Sequence, residues 1–163
     1  MKILIFSDSH GSTFGMKKIL SRITDADVLI HLGDGSEEFA LIAKSHPQMQ
    51  SYSVAGNMEE WRSFGKKPTA EQIITLDGID ILLTHGHRFG VKDSLDRYHN
   101  YAHARGVRYA LFGHTHLPTE RYFPDTGITL FNPGSISFPR EGKPSFGTME
   151  IRGDAVLFGH GTL

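Results

Sequence analysis

The amino-terminal third of the chain alternates short apolar runs with segments of helical periodicity. Lys2 to Phe6 reads as a buried strand, closed by Ser7-Asp8-Ser9-His10-Gly11. Met16, Ile19, Leu20 and Ile23 then recur at i, i+3, i+4 and i+7, the spacing of one helix face, with Ser12 or Thr13 as the expected cap. Asp27 to Leu32 is the next strand, ending at Gly33-Asp34-Gly35. Ser36, Glu37 and Glu38 suit a helix start, because early carboxylates favour the positive end of the helix dipole. Phe39, Ile42 and Ala43 give that helix an apolar stripe, and Pro47 stops it. Gln50 to Ala55 is a third strand, ending at Gly56-Asn57. This β-α-β-α-β order predicts parallel strands covered by helices.

The pattern then changes. Gln72–Leu76 and Ile79–Thr84 flank Asp77-Gly78, which predicts a hairpin with a type I′ turn. Lys92 to Arg105 reads as a helix ended by Gly106, and Val107 to Phe112 as a strand. From Pro118 on, short strands such as Ile128–Phe131, Phe146–Ile151 and Ala155–Phe158 are separated by Gly, Pro and Asp, with a turn at Arg152-Gly153-Asp154. Ser63 to Thr69 reads as a polar loop. With 163 residues and no repeat or linker, a single domain spanning 1–163 is expected.

Composition narrows the chemistry. The chain has no cysteine, so disulfides, thiolate metal sites and cysteine nucleophiles are excluded, and any metal must be held by histidine, carboxylate, amide or backbone oxygen. A formal net charge of −1 gives no global basic field for nucleic acid or an acidic membrane surface. No apolar run approaches the roughly 20 residues needed to cross a bilayer, and a cytoplasmic soluble protein is the expectation. No P-loop, dinucleotide fingerprint or G-x-S-x-G elbow is present. Ten histidines against five tyrosines is an excess, and half of those histidines fall in short motifs: His10, His85 with His87, and His114 with His116.

Placed on the predicted elements, the polar motifs converge. Asp8 and His10 follow the first strand, Asp34 the second and Asn57 the third. His85 and His87 follow the second hairpin strand, and His114 and His116 follow Val107–Phe112. Sites in open α/β sheets gather at the carboxyl ends of strands, so these residues can share one rim. Imidazole and carboxylate ligands suit Mn, Fe, Zn, Ni or Co better than Mg or Ca. In Asp8-x-His10 and His114-x-His116, alternation along an extended segment would place both side chains on one side. Asp34 is the best candidate for a carboxylate bridging two ions. Ions about 3.5–4 Å apart can activate a water and stabilise both the attacking and leaving oxygens of a phosphoryl displacement. Gly33, Gly56, Gly86 and Gly113 beside these residues would permit sharp turns. Asn132-Pro133-Gly134-Ser135 would add a rigid turn on the same side.

Asp8-Ser9-His10, Gly33-Asp34, Gly56-Asn57, His85-Gly86-His87, Gly113-His114-Thr115-His116 and Asn132-Pro133-Gly134-Ser135, in this order, resemble the calcineurin-like metallophosphoesterase superfamily, and most of all its small bacterial and archaeal phosphodiesterase branch. The resemblance implies an α/β fold of four layers, αββα, with two mixed sheets flanked by helices. It implies a metal-dependent phosphodiesterase with two divalent transition metals, most often Mn, with Ni, Zn, Fe or Co substituting. Asp8, His10, Asp34 and His116 would hold one ion, and Asp34, Asn57, His85 and His114 the other. A small phosphoester substrate, no membrane partner, no clear nucleic-acid binding and a homo-oligomer are the corresponding expectations. One position departs: many relatives have a histidine after Gly-Asn, where it is thought to aid the leaving group, and the small branch often has cysteine. Here Met58 stands there and cannot donate a proton, a contribution that can be worth about 10²–10⁴ in rate. His87, unused as a metal ligand, and Asn57 are the candidates for catalysis and substrate contact.

Alternative readings remain open at this point: a phosphomonoesterase or nucleotide hydrolase, or a non-enzymatic scaffold like the retromer subunit of the same fold. His99 and His103, at i and i+4, lack the adjacent glutamate of a zinc protease motif and read as a solvated or interfacial helix face. His31 reads as a core histidine or a support for the site, and Trp61 and Phe64 as lining a substrate groove or a subunit contact.

Overall fold

The computed structural model describes residues 1–61 and 68–163, so Phe64 and most of the predicted Ser63–Thr69 loop lie outside the described residues. Strands β1 (Lys2–Phe6), β2 (Val28–His31) and β3 (Gln50–Ser53) pair in parallel, with helices α1 (Phe14–Leu20) and α2 (Ser36–Ser45) between them. A short helix α3 (Asn57–Trp61) follows. Strands β4 (Glu71–Leu76) and β5 (Ile79–Thr84) form the predicted hairpin, and both turn residues have positive φ, 47° at Asp77 and 78° at Gly78, as a type I′ turn requires. A 3-10 turn (His87–Phe89), helix α4 (Asp96–Ala104) and strands β6 (Tyr109–Leu111), β7 (Pro118–Phe123), β8 (Ile128–Pro133), β9 (Ser145–Arg152) and β10 (Ala155–Thr162) complete the chain.

Two mixed five-stranded sheets result, ordered β10-β9-β1-β2-β3 and β4-β5-β6-β8-β7. The alternation of side chains along each strand decides which layer each residue fills. Ile3 and Ile5 of β1 face Ile81, Leu83, Leu111 and Phe131 in the core between the sheets. Leu4 and Phe6 point the other way, onto Met16, Ile19, Phe39 and Ile42 of α1 and α2. Leu82, Ala110 and Leu130 meet Tyr98 and Ala102 of α4 on the far side. The four-layer αββα architecture expected above is therefore present.

The differences are local. Helix α4 begins at Asp96 rather than Lys92, because the chain first makes tight turns from Gly90. Strand β3 stops at Ser53; Val54 and Ala55 bond instead to His31 O and Thr69 O. The polar edge strand β7 carries almost no apolar alternation to announce it, since most of its residues are exposed.

Candidate metal centre

The motif residues collect where β1, β2, β5 and β6 end. Their backbones are unusual. Six described non-glycine residues have positive φ, and five of them are candidate ligands: Asp8 (54°), His10 (46°), Asp34 (55°), His114 (67°) and His116 (59°). This corrects one expectation. Asp8 with His10, and His114 with His116, do not share a side by alternation along an extended segment; each residue sits in the left-handed region, and the chain coils to aim both inward. Such conformations carry a cost of order 1–3 kcal/mol each and persist where the surrounding structure over-determines them.

Backbone hydrogen bonds supply that determination. Asp8 N–H donates to Gly33 O and His10 N–H to Asp34 O, both at 3.0 Å, which ties the β1 loop to the β2 loop. Gly113 N–H donates to His85 O at 3.1 Å, and His114 N–H donates to Asp8 Oδ2 at 3.0 Å. Ser135 Oγ–H donates to Asp8 O, and Asn132 Nδ2–H to Gly113 O, both at 2.8 Å, so the Asn132–Ser135 turn braces the rim. Glycine is required at Gly113 for space: a Cβ there would run into Ser7 Oγ and come within 2.9 Å of Asp8 Oδ2. Gly56 is in the same position against Asp34 Oδ1.

Two clusters of ligand atoms form, Asp8 with His10 and His116, and Asp8 with Asp34 and His85. Asp8 Oδ1 lies 3.1 Å from His116 Nε2, 3.9 Å from His10 Nε2 and 3.8 Å from His85 Nε2. Asp34 Oδ2 lies 3.5 Å from His85 Nε2, while Asp34 Oδ1 accepts Met58 N–H at 2.9 Å. Asp8, not Asp34, is thus the carboxylate common to both clusters. His114 stands beside them, its ring centroid 5.0 Å from that of His85. Asn57 opens α3, with its Oδ1 buried.

The histidine tautomers follow from their outer partners. His85 Nδ1–H donates to Leu32 O at 2.6 Å and His116 Nδ1–H to Phe138 O at 2.5 Å, which aims each Nε2 at the carboxylates, protonated when no cation is there and free to ligate once that proton is displaced. His116 Nε2 therefore faces His10 Nε2 at 3.2 Å and the Asp8 carboxylate oxygen at 3.1 Å, three ligand atoms gathered around one point where a proton or a cation would sit. Asp8 Oδ1, Asn57 Oδ1 and His85 Nε2 are buried without hydrogen-bond partners among the described residues. Orphaned buried acceptors on one rim are what an N/O-ligated divalent transition metal would satisfy.

Electrostatics agree with the geometry. Burial pushes the Asp8 carboxyl up, but His85 and His116 outweigh it and hold it at about 2. Asp34 is also lowered: burial opposes ionisation, and the His85 and Met58 N–H contacts overcome it. Burial works to neutralise His85, yet the Asp8 and Asp34 carboxylates raise it. Burial, with the neighbouring His85, lowers His114 to about 4, so it is neutral and able to ligate at pH 7.

Several residues beyond the motifs shape this rim. His31 is fully buried, accepts Gly33 N–H on Nδ1 at 3.3 Å, and donates from Nε2 to Ser9 Oγ at 3.0 Å, a supporting role. Sequence reasoning assigned no role to Glu59. It is 7% exposed, and its carboxylate accepts four backbone N–H groups: Asp34 at 2.9 Å, Gly56 at 2.7 Å, Gly35 at 2.8 Å and Ser36 at 3.1 Å. It joins the loop of Asp34 to the loop of Asn57. A glutamate two residues after Gly56-Asn57 was visible as a motif position, but three of its four donors come from a segment 23–25 residues away. His87 Nε2–H donates to Glu60 Oε2 at 3.0 Å, and Glu60 Oε1 also takes Arg88 at 2.7 Å. His87 Nδ1 is buried without a hydrogen-bond partner, on a ring 6.0 Å from His114. His99 is outside the centre: it stacks on Phe123 at 3.9 Å and bonds to Thr126 Oγ1, while His103 is exposed. Trp61 is largely exposed.

Comparison with known proteins gives a consistent result. The profile of the calcineurin-like phosphoesterase superfamily domain matches residues 1–154. The probable metallophosphoesterase YsnB of Bacillus subtilis is 32% identical over 159 residues, 96% of this chain and 88% of the relative. Phosphodiesterase YfcE of Escherichia coli is 26% identical, over 92% of this chain and 88% of the relative. Among solved structures, a conserved uncharacterized protein, predicted phosphoesterase, of Streptococcus pneumoniae superposes with TM-score 0.77 at 25% identity, over 99% of this chain and 88% of that one. Wild-type Vps29 of Entamoeba histolytica complexed with Zn²⁺ superposes with TM-score 0.75 at 20% identity, over 99% of both chains, which shows the shared fold.

Proposed function

Since the chain belongs to the calcineurin-like phosphoesterase superfamily, we propose that it is a metal-dependent phosphodiesterase working with two divalent transition metals, manganese first among them. The observation that carries this reading is the set of orphaned buried ligand atoms, Asp8 Oδ1, Asn57 Oδ1 and His85 Nε2, on one rim with His10, Asp34, His114 and His116. A scaffold needs no such set; burying unpartnered acceptors costs about 1–3 kcal/mol apiece, and a metal-binding site recovers that cost. The name of YfcE supports the diester as the substrate form over the monoester and nucleotide alternatives.

In this reading Asp8, His10, Asp34 and His116 hold one ion, and Asp34, Asn57, His85 and His114 the other. Asp34 is the ligand shared between the ions in this assignment, while the ligand atoms as they stand place Asp8 in both groups. Bound there, the ions would supply Lewis acidity to the phosphoryl oxygens and lower the pKa of water. Hydrolysis adds a water oxygen to phosphorus, breaks the bond from phosphorus to one alcohol oxygen, and releases that alcohol with a proton. Met58 is 42% exposed and offers no proton, so that task passes to His87. With Nε2–H given to Glu60, the neutral ring has no proton on Nδ1, so His87 would protonate the leaving oxygen from Nδ1 only as the imidazolium, its Nε2–H still held by Glu60. Asn57 contacts the phosphoryl group as well as an ion. The cytoplasmic location and homo-oligomeric state expected from the sequence belong to the same proposal.

The test combines metal analysis with turnover. Protein stripped of metal and titrated with Mn²⁺ is expected to bind two ions and to hydrolyse bis(p-nitrophenyl) phosphate only when loaded. Asp34→Asn is expected to lose most of that activity. Fewer than two ions at saturation, together with no turnover, would reject the reading.

A further inference from the structure

A cleft of about 240 Å³ opens directly beside the metal centre, lined by His10, Gly11, Asp34, Gly35, Glu38, Met58 and Glu59. It is continuous with ligands of both clusters, so one organic group of an ester held at the centre would enter it. Its walls contain no lysine or arginine among the described residues, and three carboxylates. Two of these are committed elsewhere. Asp34 faces His85, and both oxygens of Glu59 are taken by the four amides. Glu38 differs. Its Oε1 accepts Ser9 Oγ–H at 3.0 Å and the Gly11 N–H, which fixes the side chain against the wall. Its Oε2 receives no hydrogen bond from the described residues. His31 holds Ser9 from behind, so the Glu38 carboxylate is braced by a chain of side-chain contacts that begins in the core.

We propose that Glu38 is a specificity-determining residue: Oε2 selects an ester whose group in this cleft carries a hydrogen-bond donor and no negative charge, an ammonium or a hydroxyl, and rejects an anionic group. This rests on the phosphodiesterase reading and narrows its substrate class. The physical basis is Coulombic. A carboxylate held rigidly at the wall of a partly enclosed cleft attracts an ammonium and repels a second anion; in a water-filled, salt-screened opening the effect is roughly five- to tenfold in affinity per contact. A substrate with further phosphates in the cleft, such as a nucleoside triphosphate, would be disfavoured by the same repulsion.

The probes are phosphoethanolamine, ethyl phosphate and phosphoglycolate, small phosphates that differ in carrying an ammonium, no charged group or a carboxylate at the remote end. Binding of each to Mn-loaded protein is measured by calorimetry, and turnover of the p-nitrophenyl diesters of the same three alcohols is measured separately. The expected order is phosphoethanolamine, then ethyl phosphate, then phosphoglycolate, with roughly five- to tenfold between successive members. Glu38→Gln keeps an oxygen for Ser9 and Gly11 but removes the charge, and is expected to bring the three affinities within about threefold of one another. Equal binding of the three by the unaltered protein, or the same ladder in Glu38→Gln, overturns the assignment. A binding ladder without turnover of any diester upholds the cleft assignment and rejects the hydrolase reading; turnover with a flat ladder does the reverse.

Discussion

Glu59 offers the sharpest quantitative test of how this site is held. Its carboxylate accepts four N–H donors from the two loops that carry Asp34 and Asn57, and it is almost wholly buried. Glutamine has nearly the same shape but only one acceptor oxygen. Whichever way the amide is turned, two of the four donors face an NH₂ group. Hydrogen bonds to a charged partner contribute about 1.5–3 kcal/mol each, so Glu59→Gln is expected to cost about 3–6 kcal/mol before relaxation. That is comparable with the whole stability of a small protein, about 5–15 kcal/mol, so the variant should fold but with a large shift of its urea midpoint. The damage is also directional. Freed from each other, the two loops no longer fix the separation of Asp34 and Asn57, and Mn²⁺ affinity should fall by about 10–100-fold, as for other supports of metal ligands. Urea unfolding of the metal-free protein and Mn²⁺ titration of the folded protein measure the two effects separately. A stability change under about 1 kcal/mol with unchanged Mn²⁺ affinity would refute the reasoning.

Two further outcomes follow from the same geometry. Gly113→Ala places a methyl group against Ser7 Oγ and Asp8 Oδ2, so Asp8 must move; Mn²⁺ affinity measured by calorimetry is expected to fall about tenfold or more while the far-UV circular dichroism stays unchanged. Asp8, held at about 2 by His85 and His116 against the opposing effect of burial, contributes stability to the metal-free protein that is complete above its ordinary value of 3.8 and lost as pH falls toward 2. Its size is on the order of 2 kcal/mol. Urea unfolding between pH 5 and pH 2 should show metal-free protein losing that much more than Asp8→Asn; parallel curves would contradict it.

The element types and their order were legible in the amino-acid sequence because period-two and period-3.6 patterns record which face each segment buries. Ile3 and Ile5 against Leu4 and Phe6 already encode a sheet covered on both sides, and Asp77-Gly78 encodes its hairpin. The ligand types were legible too, since aspartate and histidine at successive strand ends leave few other roles. Strand β7 escaped because its exposed residues carry no burial signal, and the roles of Glu59 and Glu38 escaped because their partners are distant in the chain.

The amino-acid order by itself determined the layers and the chemical character of the rim, since both depend on local periodicity and residue type. Only the tertiary structure decided how the rim is aimed. Left-handed backbone at Asp8, His10, Asp34, His114 and His116 is unfavourable for each residue alone, and although Asp and His adopt it more readily than most residues, their identity does not say which of them will. It is stable here because amides and carbonyls from other loops close around it, and because space exists only where Gly56 and Gly113 leave it. Which carboxylate is shared by the two clusters, Asp8 rather than Asp34, is likewise a matter of distances that sequence spacing does not contain.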